Sequence, residues 1–335
     1  MEGASERAGP SNPSNALRIA VLLPVFNDWT PLSRLLSQLD ETLDANGLSA
    51  DAFVIDDGSY EWAPSDLGSV QRRSLTEIVM VRLRRNLGHQ RAIAIGLALV
   101  AHKSRYSTVV VMDADGQDRA VDVPRLVERL RGQPLVKAVF AERLRRSESV
   151  LFTVLYHLYR GLHLALTGVR VKVGNFSVLS ADALDTLVAM SELWNHYAAA
   201  VFRSRVPYAT VPISRGARLS GGSRMDFVSL VAHGLSAISV FGEVVAVRLM
   251  VASLGLVTLG IMLSAMEASI GPPSVHAVGL GLTWGTVVLL LSSQALVASL
   301  LFAFLVLARR SSVGFLPLRD FHFFILEEHV AKKTP

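Results

Sequence analysis

The chain has 335 residues, of which 51% are hydrophobic and 18% are charged. This hydrophobic fraction is high for a soluble enzyme, and most of the excess lies beyond residue 240. The absence of cysteine excludes disulfides and thiolate metal sites. The net charge of +5 favours anionic partners, which could be nucleic acid, a membrane surface or phosphorylated small molecules.

The amino-terminal part of the chain predicts a disordered lead-in followed by the first strand and helix. Residues 1–17 are rich in Ser, Pro, Asn and Gly and have no apolar run typical of a signal peptide. Residues 18–24 predict a buried strand that ends at Pro24. Leucines at helical spacing predict a helix over residues 31–43, with Thr30 as its N-cap and Pro31 at its first position.

Three more apolar strands are predicted over residues 52–55, 78–83 and 108–112, with a helix rich in small residues at 90–101. Apolar strands without alternation are typical of a parallel sheet that is covered on both faces. The predicted fold class is therefore α/β with a mostly parallel sheet. Ligands of such folds lie at the carboxyl ends of the strands. The sequence places polar clusters there, namely Asn27-Asp28, residues 56–59, residues 86–89 and residues 113–115.

The second half of the chain becomes progressively more apolar. Residues 143–167 predict an amphipathic helix, and residues 171–179 predict a strand. Residues 225–248 predict an amphipathic helix that lies along a membrane surface. Two spans follow at 249–266 and 277–308, each long enough to cross a bilayer. The alternative is a pair of buried helices in a soluble core, although core helices are usually shorter and more polar on one face.

The charges that flank the two spans predict their orientation. The link at residues 267–276 carries no Lys or Arg, whereas Arg248, Arg309 and Arg310 flank the spans. The positive-inside rule then places both termini in the cytoplasm. The predicted organisation is a multi-pass protein of the inner (plasma) membrane. Its five parts are a disordered lead-in (residues 1–17), an α/β domain (18–224), a juxtamembrane helix (225–248), a two-helix hairpin (249–308) and a cytoplasmic tail (309–335).

The strongest candidate for chemistry is Asp113-Ala114-Asp115, directly after a strand of Val and Met. Two carboxylates at a strand end can face one hard cation, and Mg²⁺ or Mn²⁺ prefers oxygen ligands and often shares them with substrate phosphates. An isolated Asp-x-Asp more often only caps a turn. The second acidic cluster, Asp56-Asp57-Gly58-Ser59, favours a ligand site, because a carboxylate there can accept hydrogen bonds from a base or ribose.

Four motifs occur in an order that resembles family 2 glycosyltransferases of the GT-A fold: PVFND from Pro24, DDGS from Asp56, NLGHQRAIAIGL from Asn86 and MDADGQD from Met112. Within this family the sequence is most similar to polyprenyl-phosphate sugar synthases, such as dolichyl-phosphate mannose synthases. The resemblance covers roughly residues 18–310. It implies a GT-A catalytic domain, a nucleotide-sugar donor, a divalent cation (Mg²⁺ or Mn²⁺), a polyprenyl phosphate acceptor and inversion at the sugar.

The resemblance also implies roles for individual residues. Asp113, Asp115 and Gln117 would bind the cation, and Asp115 and Arg218 would be catalytic. The donor nucleotide would contact residues at the strand ends: Pro24, Phe26, Asp28, Asp56, Asp57, Asn86, Gly88, Asp113 and Ala114. The acceptor phosphate would meet two arginine-bearing segments: Arg143 and Arg145 in the first, and Arg218, Ser223 and Arg224 in the second. For Arg143 and Arg145, a solvated or headgroup-facing basic patch is an equal alternative.

Some positions depart from the pattern of the family. Gly116 stands where the family usually has Leu, and Asn175 and Ser177 stand where it has the Asp and Arg of Gly-Asp-Phe-Arg. The resemblance therefore names no sugar. Four histidines are interpreted as structural or surface residues, since a phosphate acceptor requires no general base from them. These histidines are His89, His157, His163 and His196.

Two other functions stay open. A transferase that acts on another glycolipid or a polysaccharide is one, although the sequence lacks the Gln-x-x-Arg-Trp motif and the extra spans of processive synthases. A catalytically silent nucleotide-binding membrane protein is the other, but it predicts loss of the carboxylates at Asp113 and Asp115, which are present. Nucleic-acid binding rests on charge alone and is not predicted. Assembly as a homo-oligomer is left open.

Overall fold

The structure is a computed structural model that describes residues 18–64, 67, 73–143, 150–170, 173–214, 216–219, 227–270, 284–310 and 314–333. Its strands are β1 Ile19–Val25, β2 Ala50–Asp56, β3 Leu75–Leu83, β4 Thr108–Val111, β5 Ala138–Arg143, β6 Val173–Ser180, β7 Tyr208–Ile213 and β8 Ile325–Lys333. Its helices are α1 Trp29–Ala45, α2 His89–His102, α3 Val123–Arg131, α4 Val150–Thr167, α5 Ala181–Val188, α6 Tyr197–Ser204, α7 Phe227–Ser239, α8 Gly242–Ile270, α9 Trp284–Arg310 and α10 Pro317–Asp320. The predicted lead-in at residues 1–17 lies outside the described residues.

One sheet organises the catalytic part of the chain, with strand order β7-β5-β6-β4-β1-β2-β3-β8. The central pairs β1–β2, β1–β4 and β2–β3 are parallel, as is β5–β7. The pairs β4–β6, β5–β6 and β3–β8 are antiparallel. This mixed, mostly parallel sheet confirms the predicted α/β fold class.

The sheet is covered on both faces by helices, which accounts for its non-alternating strands. Every residue of β1 is buried. Leu22 faces a core built around α2, whereas Leu23 faces the other core, which is built around α1 and α3. The small residues of α2 allow close approach, since a Cβ added at Gly96 would lie 2.3 Å from Leu22 Cδ1. The carboxyl ends of the four parallel central strands are thereby held rigidly at one edge.

The start of α1 differs from the prediction. Asp28 is the N-cap residue and the helix begins at Trp29, so Thr30 does not cap it and Pro31 is not its first residue. The Trp29 side chain is buried, and its indole N–H donates to Glu61 O at 3.0 Å. This tertiary contact favours an earlier start than local capping preferences indicate.

The apolar carboxyl-terminal region forms two long helices, α8 and α9. By length and composition, Gly242–Met266 and Trp284–Ala303 could each cross a membrane, and only 22% and 11% of their apolar windows are buried in the protein. A core helix would be mostly buried, so this exposure disfavours the soluble-core alternative. The helices pack closely, because a Cβ at Gly260 would lie 2.9 Å from the Leu289 backbone, and Ser253 Oγ lies 3.1 Å from Ser299 Oγ.

Two features of this region differ from the predicted pattern. The single predicted helix at 225–248 is two helices, because α7 ends at Ser239 and α8 already begins at Gly242. The segment predicted as a tail, residues 309–335, returns to the sheet, where β8 pairs with β3. Phe321, just before β8, is buried in the α2 core. Apolar packing and strand pairing therefore hold the end of the chain against the sheet.

Candidate functional site

The four polar clusters predicted at strand ends meet at one edge of the sheet. They follow β1, β2, β3 and β4, which are adjacent and parallel. Direct hydrogen bonds join the clusters. Asn27 N–H donates to Ser59 Oγ at 2.9 Å, and Asp57 N–H donates to Val25 O at 2.8 Å. The clusters at the ends of β1 and β2 are therefore directly connected.

The acidic cluster after β2 is buried and holds its neighbouring loops. Asp56 Oδ1 accepts from Ser59 N–H at 2.8 Å, while Asp56 Oδ2 lies 3.6 Å from Arg82 Nε. Asp57 accepts from the backbone N–H groups of Leu87 at 2.7 Å and Gly88 at 2.9 Å. Both carboxylates are thus engaged in shaping the site, and Asp57 holds the turn that precedes α2.

Gly58 allows this turn to lie against the acidic loop. Its φ is +70°, and an added Cβ would lie 2.5 Å from Arg85 C and 2.6 Å from Asn86 N. Gly47 is a matched control, with φ +61° and no heavy atom within 4 Å of an added Cβ. We expect Gly47→Ala to cost about 1–2 kcal/mol through its left-handed backbone alone. Gly58→Ala should lower the thermal midpoint of the detergent-solubilised protein clearly more, and equal losses would contradict this packing argument.

The protonation of Asp57 makes the turn before α2 sensitive to pH. Burial raises the pKa of Asp57 to about 6, against the opposing hydrogen bonds from Leu87 and Gly88. Below that pH the carboxyl becomes neutral and is a weaker acceptor for the two N–H groups. If nucleotide binding requires the ionised form, the dissociation constants of UDP and GDP should rise about tenfold from pH 7 to pH 5. Calorimetric titration checks this, and Asp57→Asn should retain only the pH dependence of the nucleotide itself.

The other residues that were predicted to contact the donor nucleotide lie along the same edge, and they differ in solvent exposure. Pro24 is buried within β1, while Phe26 is partly exposed and packs edge-on against Tyr60. Asn86 is exposed. Sequence reasoning did not single out Tyr60 and Trp62 as site residues, although their side chains are 74% and 75% exposed beside this edge. The Arg82 guanidinium carbon lies 3.9 Å from the Trp62 ring centroid.

The Asp113-Ala114-Asp115 motif forms a tight turn at the end of β4. Asp113 N–H donates to Asp118 Oδ2 at 2.9 Å, and Gln117 N–H donates to Asp115 Oδ1 at 2.9 Å. Ala114 is buried between the two partly exposed aspartates. The backbone is therefore held by its own carboxylates, which orients Asp113 and Asp115 at the same edge.

Basic side chains lie against both carboxylates. His89 Nε2 is 3.0 Å from Asp113 Oδ1, and Arg218 Nη2 is 3.9 Å from Asp115 Oδ2 and 3.4 Å from Asp28 Oδ2. Loss of hydration opposes protonation of His89, but the Asp113 charge and hydrogen bond outweigh it and raise the pKa of His89. The interpretation of His89 as a structural or surface residue did not anticipate this contact, because sequence cannot show that the start of α2 lies beside the end of β4.

The side-chain oxygens at this turn fit a hard divalent cation whose remaining coordination positions are filled by a bound ligand. No group of three or more His, Asp or Glu side chains arranged to hold a metal occurs among the residues that the structure describes. Two carboxylates and the amide oxygen of Gln117 are nevertheless the oxygen ligands that Mg²⁺ and Mn²⁺ use, and substrate phosphates commonly supply the rest. Asp113 and Asp115 would hold the ion, which would neutralise charge on a leaving phosphate.

The loop that carries Arg218 folds onto the aspartate turn. Leu219 N–H donates to Asp115 O at 3.0 Å, and Gly216 N–H donates to Gln117 O at 2.9 Å. Gly116 has φ +83°, and an added Cβ would lie 2.3 Å from Leu219 Cγ. The Leu219 side chain thus fills the space that a larger residue at position 116 would need. This contact places Arg218 over the site.

The predicted acceptor-phosphate residues are only partly described. Arg143 ends β5, and Arg218 is placed as above. Arg145, Ser223 and Arg224 lie outside the described residues. Their proposed roles therefore remain predictions.

The sequence of this chain is similar to that of a known enzyme family. Residues 20–187 match the family described as Glycosyl transferase family 2. The chain belongs to this family. It is therefore a glycosyltransferase, and the mostly parallel α/β sheet is the GT-A arrangement that the motif order implied.

Individual relatives of this glycosyltransferase carry more specific names. An undecaprenyl-phosphate 4-deoxy-4-formamido-L-arabinose transferase from Edwardsiella ictaluri is 26% identical over 272 residues, covering 76% of this chain and 78% of the relative. A protein of the same name from Pseudomonas aeruginosa is 32% identical over 126 residues, covering 37% and 36%. Among solved structures, glucosyl-3-phosphoglycerate synthase from Mycobacterium tuberculosis is 18% identical with a TM-score of 0.47, covering 69% of this chain and 78% of that one.

Proposed function

We propose that this glycosyltransferase moves a sugar from a UDP- or GDP-sugar to a polyprenyl phosphate, with inversion and with a divalent cation (Mg²⁺ or Mn²⁺). The observation that carries the proposal is the position of Arg218, which contacts Asp28 and Asp115 and lies on the loop that leads into α7 and the apolar hairpin. A guanidinium there can hold one phosphate against another. The names of the relatives support a lipid phosphate acceptor.

The chemistry suits such an acceptor. A lipid phosphate is already anionic at neutral pH, so its oxygen can attack the anomeric carbon without a general base. The nucleoside diphosphate leaves with the electron pair of the broken bond. Asp113 and Asp115, which would hold the cation, and Arg218 would stabilise this negative charge in the transition state.

The test is direct transfer by detergent-solubilised protein. The protein is incubated with undecaprenyl phosphate, Mg²⁺ or Mn²⁺ and a panel of UDP- and GDP-sugars that includes 4-deoxy-4-formamido-L-arabinose, and labelled sugar is followed into the lipid phase. Transfer from one donor supports the proposal. Transfer only to a glycolipid or polysaccharide acceptor would favour the alternative transferase, and donor binding without any transfer would favour a silent nucleotide-binding protein.

We also propose that α8 and α9 anchor the catalytic domain in the inner (plasma) membrane, with the domain and both termini in the cytoplasm. The pairing of β8 with β3 supports a common side of the membrane for the sheet and the segment after the hairpin. The positive charges that flank the hairpin favour the cytoplasm as that side. The proposed parts are a catalytic domain formed by residues 18–224 together with strand β8, the juxtamembrane helix α7, and the hairpin formed by α8 and α9. Protease digestion of sealed inverted vesicles should remove a carboxyl-terminal tag, and protection of that tag would overturn the topology.

A further inference from the structure

Two different elements hold the Arg218 loop, which comprises residues 216–219. From the aspartate turn, Asp115 O accepts from Leu219 N–H at 3.0 Å. From α1, Arg34 Nη1 donates to Leu219 O at 3.2 Å. Both backbone polar groups of Leu219 are therefore bonded to residues outside the loop, and Leu219 is the residue that directly follows Arg218. Arg34 was not among the residues predicted to form the site.

Arg34 lies on a helix that the core fixes in place. Its neighbours Leu32, Leu35 and Leu36 are fully buried in the core around α1 and α3. Arg34 itself is exposed, so its side chain extends along the outer side of α1 to a loop that is 185 residues away in sequence. Because α1 cannot shift without unpacking the three leucines, the hydrogen bond restrains the loop and not the helix.

Helix α1 and the Arg218 loop meet a second time, at the side chain of Arg218. Its Nη2 lies 3.4 Å from Oδ2 of Asp28, the N-cap residue of α1. The backbone of the loop lies directly on the aspartate turn, since a Cβ added at Gly216 would be 2.7 Å from Gly116 O. Asp28 therefore acts on the end of the Arg218 side chain, whereas Arg34 acts on the backbone from which that side chain starts.

We propose that Arg34 is a positioning residue for the transfer reaction, because its bond to Leu219 O fixes the backbone beside Arg218. The guanidinium of Arg218 then stays near the carboxylates of Asp28 and Asp115, where it can meet a phosphate. A group that is already in place needs no reorientation when the substrates bind, which lowers the entropic part of the barrier. The inference rests on the proposed role of Arg218 in transfer.

The first experiment measures the mobility of the loop and requires no activity. The chain has no cysteine and Ala217 is exposed, so Ala217→Cys creates a single site for a nitroxide label. Arg34→Met keeps the apolar stem of the side chain but has no N–H donor. We expect this change to narrow the electron paramagnetic resonance lines of the label in full-length, detergent-solubilised protein, because the loop moves more freely.

Arg125→Met is the matched control for the loss of one exposed arginine. Arg125 is exposed, and its Nη1 also donates to a backbone carbonyl, Pro212 O, at 3.2 Å. This change should leave the spectrum of the label at residue 217 and the turnover unaltered. The thermal midpoints of Arg34→Met and Arg125→Met should fall by the same small amount, since each variant loses one hydrogen bond of the same kind.

The second experiment measures turnover in a double-mutant cycle. A displacement of about 1 Å near the reacting groups can lower a rate about a hundredfold. Since the bonds of the loop to the aspartate turn remain, we expect Arg34→Met to lower kcat about tenfold. In an Arg218→Ala background the same change should have almost no effect, because both substitutions act on one group. Arg34→Lys should restore most of the rate, since an ammonium group can also donate to a carbonyl.

The two experiments separate positioning from other roles of Arg34. An equal loss of turnover in both backgrounds would show that Arg34 acts on the phosphates itself, and it would overturn the positioning role. Unchanged label spectra, or a clearly larger fall of the thermal midpoint than in Arg125→Met, would overturn it as well. Absence of transfer by the unchanged protein would overturn the proposed function together with the catalytic part of this inference, whereas the label spectra decide separately whether Arg34 holds the loop.

Discussion

Replacement of Asp115 by asparagine is expected to lower sugar transfer by about a thousandfold, since a bound cation stabilises the transition state by several kcal/mol. The change keeps the shape of the turn, because an asparagine oxygen can still accept from Gln117 N–H, which now lies 2.9 Å from Asp115 Oδ1. The substitution removes the negative charge of the carboxylate that would bind the cation. Initial rates with saturating donor and varied Mn²⁺ measure the effect.

The matched control for this variant is Asp185→Asn. Asp185 is exposed on α5, away from the strand-end site, so the same chemical change there should leave turnover and Mn²⁺ activation unaltered. Thermal midpoints of both variants should stay close to that of the unchanged protein. If Asp115→Asn retained full activity with the same Mn²⁺ dependence, the assignment of Asp115 as a cation ligand would be wrong.

Removal of the Arg218 side chain is expected to lower turnover by about a hundredfold or more, which is the range for loss of one group that stabilises transition-state charge. Arg218 lies between Asp28 and Asp115 at 3.4 and 3.9 Å, where it can meet the phosphates of the donor or the acceptor. Arg218→Lys should recover only part of the loss, because a lysine ammonium cannot form the bidentate contact of a guanidinium. Steady-state kinetics with both substrates varied measure this.

Arg125→Ala controls for the loss of positive charge. Arg125 is exposed and donates to Pro212 O, so its removal should leave turnover unchanged. An Arg218→Ala enzyme with faster turnover than the unchanged protein would contradict the proposed role. It would instead mean that Arg218 competes with the cation for Asp115.

The fold class and the location of the site could be predicted from sequence because both follow from local patterns. Apolar runs in β1 and β4 predict buried strands, and parallel strands end at one edge. Asp56, Asp57, Asp113 and Asp115 follow such strands directly. Their presence at one edge is therefore a consequence of strand direction, and the structure confirms it.

The start of α1 and the course of the carboxyl-terminal segment could not be predicted in this way. The burial of Trp29 favours a helix start before Thr30, and the preference for Pro31 at a first helical position is weaker than that packing. Strand β8 lies far from β3 in sequence, and β-strand pairing between distant segments leaves no local periodic signal. Residues 309–335 were therefore predicted to be a tail, although they contribute strand β8 to the sheet.

Residue type and spacing alone predict an α/β fold with paired carboxylates at strand ends and two long apolar helices near the carboxyl terminus. The order of the motifs adds the resemblance to family 2 glycosyltransferases. Which side chains meet these carboxylates depends on packing between distant elements. His89 and Arg218 reach Asp113 and Asp115 because α2 lies beside β4 and Leu219 packs on Gly116. The contact of α7 with the start of α6 likewise joins residues far apart in the chain, His196 and His233. The free energy of such contacts comes from tertiary packing, which no local pattern encodes.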